Sequence, residues 1–251
     1  VRRALARLGL LLGLAVAGFA TAAPPAPPPY APYDQWAWVV VSGDDQAAHA
    51  DTPTRAFDNA RRDVAAGFEQ RGFAAGRLAE FSAAEGGQAP KARIGPIFER
   101  LAALAQAAPG GCLVYLTSHG SPEGALVGGA ILTPANAARK IAAACGARPT
   151  AIVISACFSG VFLPTLAGPD RFVLTAARRD RSSFGCGEGD RYPFFDGCVI
   201  EDLPAARDFP DLADKVRRCV AAREDAEGMR PRSQPQFFVG RDFRARARPF
   251  S

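Results

Sequence analysis

Histidine is nearly missing from this chain: its 251 residues hold two, His49 and His119. Very few positions can therefore exchange a proton near neutral pH through an ordinary imidazole. Metal-binding spacings are missing as well. There is no Cys-x-x-Cys and no His-x-x-x-His, so zinc has no evident site. No Gly-x-Ser-x-Gly elbow is present, which argues against a serine hydrolase. The net charge of +5 is mild, and no block of Lys and Arg interleaved with aromatics accompanies it, so nucleic acid is not an expected partner. Beyond the first 23 residues no stretch reaches the ~18 apolar residues that a membrane span requires. The mature chain is therefore expected to be soluble, without a stable span.

What is present begins with an export pattern. Arg2, Arg3 and Arg7 precede an almost continuous apolar run from Leu8 to Phe19, and Ala20-Thr21-Ala22 supplies the small residues of a cleavage site. This is the pattern of a signal peptide over residues 1–23, and it predicts an exported protein, periplasmic or secreted. The alternative is an uncleaved anchor; no Cys follows the run, so lipidation is not expected. Residues 24–33 form a Pro-rich leader, stiff and extended by composition. Residues 34–251 are then one domain. Hydrophobic residues at 48% and charged residues at 22% allow a full-sized core. Export also governs the six cysteines, because thiols outside the cytoplasm tend to pair. Three disulfides are one solution. If one cysteine is a working nucleophile, one of the other five stays unpaired.

Periodicity outlines the domain. Trp36 to Val41 reads as a buried strand, and residues 54–70 as a helix with Phe57, Val64 and Phe68 on one face. A strand is expected over Leu78 to Phe81, a helix over Lys91 to Ala107, and a third strand over Cys112 to Leu116. A helix from Thr133 to Ala144 starts with a Thr cap and a proline. Strands over Ala151 to Ser155 and Phe172 to Thr175, a helix over Asp211 to Glu224 and a strand over Gln236 to Val239 complete the reading. Strands apolar on both faces and alternating with helices imply an α/β fold with a mostly parallel sheet covered on two sides. Cys112 and Cys145 both fall at the sheet end away from the strands' carboxyl tips, so a bridge between them is favoured; a Cys186–Cys198 link is a second possibility.

The cleft of such a sheet lies beyond the carboxyl ends of its strands. Ser118-His119-Gly120 follows the third strand and Ala156-Cys157-Phe158 the fourth. If those strands are neighbours, their tips lie ~5 Å apart. A thiol of ordinary pKa, about 8.5, needs a nearby base to act as a nucleophile near neutral pH, and His119 is better placed than His49. Gly120 lets its N–H approach a developing oxyanion, and the N–H of Cys157 is the natural second donor. The blander alternative is a surface histidine and a small core cysteine.

Three segments carry a resemblance. Val114-Tyr115-Leu116-Thr117-Ser118-His119-Gly120-Ser121, with Gly124 to Val127 following, resembles the histidine motif of the legumain (asparaginyl endopeptidase) family, which includes the GPI transamidase catalytic subunit. Ile152 to Gly160 resembles its nucleophile motif. Thr175 to Cys186 is similar to the stretch lining its specificity pocket. The resemblance runs from about Trp36 to Cys186 and implies a caspase-like three-layer α/β sandwich with a Cys–His dyad. His119 would activate Cys157 for peptide-bond cleavage through an acyl-thioester, with a peptide or protein as substrate and no cofactor. It also places Ser183 on a pocket-lining serine and Arg55 as a counterpart of the pocket arginine, whose planar donor fork suits an Asn or Asp side chain. One departure is Ser155, where the family often has an acidic residue; Asp190 is a candidate replacement. That change leaves open a non-catalytic relative that binds a peptide or partner protein. Oligomeric state has no signature here.

Overall fold

The computed structural model describes residues 27–48 and 50–251. The expected signal peptide at residues 1–23, the first positions of the leader, and His49 lie outside them.

In chain order the elements are β1 (Trp36–Ser42), α1 (Ala56–Glu69), β2 (Leu78–Ser82), α2 (Ile94–Ala107) and β3 (Gly111–Thr117). Three short strands follow, β4 (Gly120–Ser121), β5 (Gly124–Val127) and β6 (Ala130–Leu132). Then come α3 (Pro134–Cys145), β7 (Thr150–Ser155), α4 (Leu163–Leu166), β8 (Arg171–Thr175) and α5 (Phe194–Asp202). The chain ends with α6 (Phe209–Ala226), β9 (Gln236–Val239) and α7 (Arg241–Arg246). The main sheet runs β2-β1-β3-β7-β8-β9. Its pairings are parallel except the last, where β9 runs antiparallel to β8.

Both faces of this sheet are buried, which is why its strands read as unbroken apolar runs. In β1, Trp36, Trp38 and Val40 enter one core with Val64 and Phe68 of α1, Val199 of α5, Leu212 of α6 and Phe243 of α7. Ala37, Val39 and Val41 enter the other, with Leu101 of α2 and Ile141 of α3. The result is three layers, helix on sheet on helix. Helix α3 starts as its sequence requires: Thr133 accepts a hydrogen bond from the Asn136 N–H, and Pro134 occupies the first turn.

The β4–β6 sheet, α5 and the short helices α4 and α7 escaped the sequence reading. The β4–β6 sheet is built from two- to four-residue strands, too short for a period to register. Helix α5 buries Phe194, Phe195, Asp196, Gly197, Cys198 and Val199 in succession, so no helical stripe marks it. The N-terminal Pro-rich stretch is docked where it is described. Tyr30 and Tyr33 are buried, and the Tyr33 hydroxyl donates to the Arg248 carbonyl.

Cys112 at the start of β3 is bonded to Cys145 at the end of α3, with Cα atoms 6.2 Å apart, as the strand-end argument requires. The Cys186–Cys198 link does not form. Cys198 is bonded instead to Cys219, because α5 packs along α6 and brings their Cα atoms to 5.7 Å. Cys186 is a buried free thiol and Cys157 is the other free cysteine.

Each bridge closes a loop of tens of residues (sequence separations 33 and 21), a length at which a disulfide stabilises by about 2–4 kcal/mol. Replacing Cys112 and Cys145 together with Ala is expected to lower the urea-unfolding free energy by that amount. Alkylation without reductant, followed by mass spectrometry, is expected to modify Cys157 and leave the four bonded cysteines intact.

Candidate active site

Two of the expected residues follow the same end of the sheet. Strands β3 and β7 are hydrogen-bonded parallel neighbours with Thr117 opposite Ser155. The Ser118 N–H extends that ladder by donating to the Ser155 carbonyl at 2.9 Å. His119 and Cys157 each follow two residues past this matched pair, and both are half-buried. Just beyond, the two backbones nearly touch. A Cβ placed on Gly120 would collide with the Cys157 carbonyl oxygen and lie 3.0 Å from the Ala156 Cβ, so only glycine fits.

Backbone N–H groups at this point are left over. Leu126 N–H donates to the His119 carbonyl, which makes Gly120 and Ala125 a non-hydrogen-bonded pair of the β4–β5 ladder. The Gly120 N–H therefore points away from β5, at the free edge of that small sheet. The Cys157 N–H has no acceptor among the described residues. Phe158, directly after Cys157, adopts a left-handed conformation (φ 57°), a strained state for a bulky residue that turns the chain sharply off β7. Its N–H is held by the Arg181 carbonyl at 2.7 Å.

Two loops grip the two side chains. Ser183 N–H donates to the Cys157 Sγ at 3.2 Å, and the Ser183 hydroxyl lies 3.6 Å from the same sulfur. The Ser183 carbonyl oxygen is also 3.6 Å from the sulfur, within reach of the thiol as donor. On the other side, the His119 Nε2 is 2.9 Å from the Gln46 carbonyl oxygen. A carbonyl only accepts, so Nε2 carries the proton and Nδ1 of the neutral ring keeps a lone pair. Phe57 meets the imidazole edge-on, 5.0 Å between ring centres, and fixes its plane. The two gripping loops are bonded to each other: Ala48 N–H to the Cys186 carbonyl, and the Thr54 hydroxyl to the Gly187 carbonyl, both at 2.9 Å.

Of the expected site residues, Cys157 is thus in contact with Ser183 and packed against the Gly120 backbone, while His119, next to Gly120, is held by Gln46 and Phe57. Arg55 is not joined to them by any contact. It is exposed at the start of α1, makes no ion pair among the described residues, and lines a cavity of about 490 Å³ with Gln46 and Lys91. Asp190, the candidate acidic wall, accepts the Gly187 N–H at 2.7 Å and closes the turn between them. Cys186 is buried, and burial pushes its thiol up to about 12, away from the thiolate form that a nucleophile needs.

Asp196 and Gln46 were missed. Gln46 acts through its backbone carbonyl, which leaves no trace in side-chain identity. Asp196 did leave one, a single carboxylate inside the apolar run Phe194 to Ile200. It is fully buried beneath the tips of β3 and β7 and accepts hydrogen bonds from Thr117 Oγ1 (2.6 Å), Ser155 Oγ (2.9 Å) and the Tyr115 hydroxyl. Burial raises its carboxyl to about 6, although the three hydrogen bonds pull the other way.

The peptidase C13 family model matches residues 36–197, a span that includes His119, Cys157, Ser183 and Asp196. The chain belongs to the peptidase C13 family. It is a cysteine-type peptidase of the legumain kind. Caspase-1 from Spodoptera frugiperda superposes with a TM-score of 0.61 over 90% of this chain and 94% of that one. At 16% identity that likeness speaks for the fold alone, and the fold it shows is caspase-like. No curated protein matches the chain.

Two outcomes follow from the geometry. Gly120→Ala forces β4 away from the Cys157 carbonyl and is expected to cost about 1–3 kcal/mol in denaturant unfolding. Asp196 reverses the usual sign for a carboxylate. Between about pH 4, where a free Asp titrates, and about 6, the folded protein holds a proton that the unfolded chain has released. The contribution of this group is fully present below that window and lost as pH rises through it, on the order of 3 kcal/mol. Melting curves from pH 4 to 7.5 are expected to show that slope in the wild type and to lose it in Asp196→Asn.

Proposed function

We propose that this C13-family peptidase is an exported endopeptidase that cleaves peptide bonds with Cys157 as nucleophile and His119 as its proton partner. The observation that carries the reading is the matched register of β3 and β7, which brings both residues to one sheet end with the Gly120 backbone packed against Cys157. Support for a working thiol comes from Cys157 being unpaired while four other cysteines are bonded. The two disulfides accord with an oxidising compartment, periplasmic or extracellular. No helix of the described residues is long and apolar enough to cross a membrane.

In this mechanism the lone pair on His119 Nδ1 takes the thiol proton, and the sulfur attacks the scissile carbonyl. The resulting oxyanion is met by the N–H groups of Gly120 and Cys157, the two donors left without partners in their own ladders. Collapse expels the amine, protonated by His119, and leaves an acyl-thioester on Cys157. Water, deprotonated by the same imidazole, then releases the acid and restores the thiol. Gln46 keeps the ring in the tautomer that this cycle needs. Ser183, in contact with the sulfur, is the pocket residue nearest the bond to be cut. Arg55 on the flank offers a planar donor fork to an amide or acidic side chain, in a cavity it shares with Lys91, Asp45 and Glu85.

Labelling the purified protein with a thiol-reactive peptidyl probe tests the assignment. Cys157→Ser is expected to abolish labelling and turnover, and His119→Ala to slow turnover by about 10²–10⁴-fold. Undiminished labelling in both variants would sink the dyad.

A further inference from the structure

Among the described residues, Asp196 is a fully buried ionisable side chain hydrogen-bonded to both strands of the site. It arrives from α5, on the helical layer opposite α2 and α3, and its carboxylate is 0% exposed. Thr117 and Ser155 donate to the same oxygen, Oδ2, while Tyr115 donates to Oδ1. The register gives this triangle its meaning. Thr117 and Ser155 are the last matched pair of β3 and β7, and each stands two residues before a proposed catalytic side chain. The hydroxyls and the Asp196 carboxylate therefore stand at the last paired residues of the two strands, from which the chain bends away to His119 and Cys157.

We infer that Asp196 is a positioning residue, a buried carboxylate that clamps the tips of β3 and β7 together and thereby sets the separation and orientation of His119 and Cys157. This deepens the dyad reading and rests on it. The chemistry suits a clamp. A carboxylate has lone pairs for three short O–H donors at once, and such charge-assisted bonds are stronger than neutral ones. Backbone hydrogen bonds fix the strands' register, but beyond Ser155 the ladder is a single bond from Ser118, and the chain then turns off through the strained Phe158. The carboxylate adds a second crosslink at the very point where regular pairing ends. The ionisable groups beside it, Tyr115 and Cys186, are both held protonated by burial, so none competes for its role.

The test compares wild type with Asp196→Asn, which keeps the shape and weakens the clamp, and with Thr117→Val and Ser155→Ala, which each remove one donor. Active sites are titrated with a peptidyl thiol probe, so that unfolded protein does not count. For Asp196→Asn the expected result is a fall in kcat per titrated site of about ten-fold or more, the scale on which misplaced reacting groups cost rate. KM should stay within about two-fold, the pattern of an interaction made in the transition state alone. The pH profile of Cys157 alkylation should also differ from that of the wild type, because the imidazole and the thiol no longer keep the same separation. Smaller falls in the same direction are expected for Thr117→Val and Ser155→Ala. Unchanged kcat per titrated site and an unmoved alkylation profile, with only the melting temperature lowered, would overturn the inference. Should Asp196→Asn fail to fold, the two hydroxyl variants decide the matter by the same two readouts. Cys157→Ser and His119→Ala separate the two ideas: if they stay active the dyad itself fails, and if they are dead while Asp196→Asn turns over normally, only the clamp fails.

Discussion

The parallel pairing of β3 with β7 is the constraint on which the site depends. Slipping that register by one residue would exchange the two faces of a strand, sending Val114 and Leu116 into the Tyr115 core and Tyr115 into theirs. Both faces are buried, so neither core tolerates the exchange. At the far end the Cys112–Cys145 bridge ties β3 to the helix that leads into β7. Packing on two sides and a covalent tie at the base thus decide, at the tips, that residues 119 and 157 follow the same matched strand end. A scaffold of this stiffness is what lets reactive groups stand on loops without losing their geometry.

The loops themselves are held differently. Residues 44–54 and 183–190 bear few core contacts and are organised by backbone hydrogen bonds, among them Thr54 N–H to the Asp45 carbonyl and Ala47 N–H to the Thr52 carbonyl. Segments of this kind open more easily than the sheet beneath them. Because one loop orients the imidazole through Gln46 and the other contacts the sulfur through Ser183, and because they are bonded to each other, the ring and the thiol are coupled through the backbone as well as through the strands. A disturbance of either loop reaches both groups.

Which parts of this arrangement were legible in the sequence follows from burial. Strands β1, β3, β7 and β8 are apolar on both faces and bounded by turns, so their runs stand out; α1, α2 and α6 each bury one stripe and expose the rest. Helix α5 buries its first six residues and β4–β6 are too short, so neither carries a period. At the site, His119 and Cys157 were visible because they are rare residue types at strand ends. Gln46 was not, since any residue supplies a carbonyl. Asp196 was visible as an anomaly but its partners lie 41 to 81 positions away in sequence, a distance only the fold closes. The misjudged cysteine partner has the same origin: without α5, nothing brings residue 198 beside residue 219.

Asp196 also bears on the charge of the specificity pocket. Where the legumain resemblance leads one to expect an acidic residue two positions before the nucleophile, this chain has Ser155, itself buried, with its hydroxyl spent on Asp196. A negative charge is therefore kept within a hydrogen bond of that position, but on the inner side of the sheet end. At 0% exposure it cannot touch a substrate side chain, and its three hydroxyl partners already satisfy it. Asp190 accepts the Gly187 N–H with one of its oxygens in closing its own turn, which fixes where its charge sits. The neighbouring cavity that holds Arg55 and Lys91 also carries Asp45 and Glu85, so its charges balance. A substrate side chain entering there meets donors and acceptors of both signs, and its fit rests on the geometry of hydrogen bonds more than on net charge.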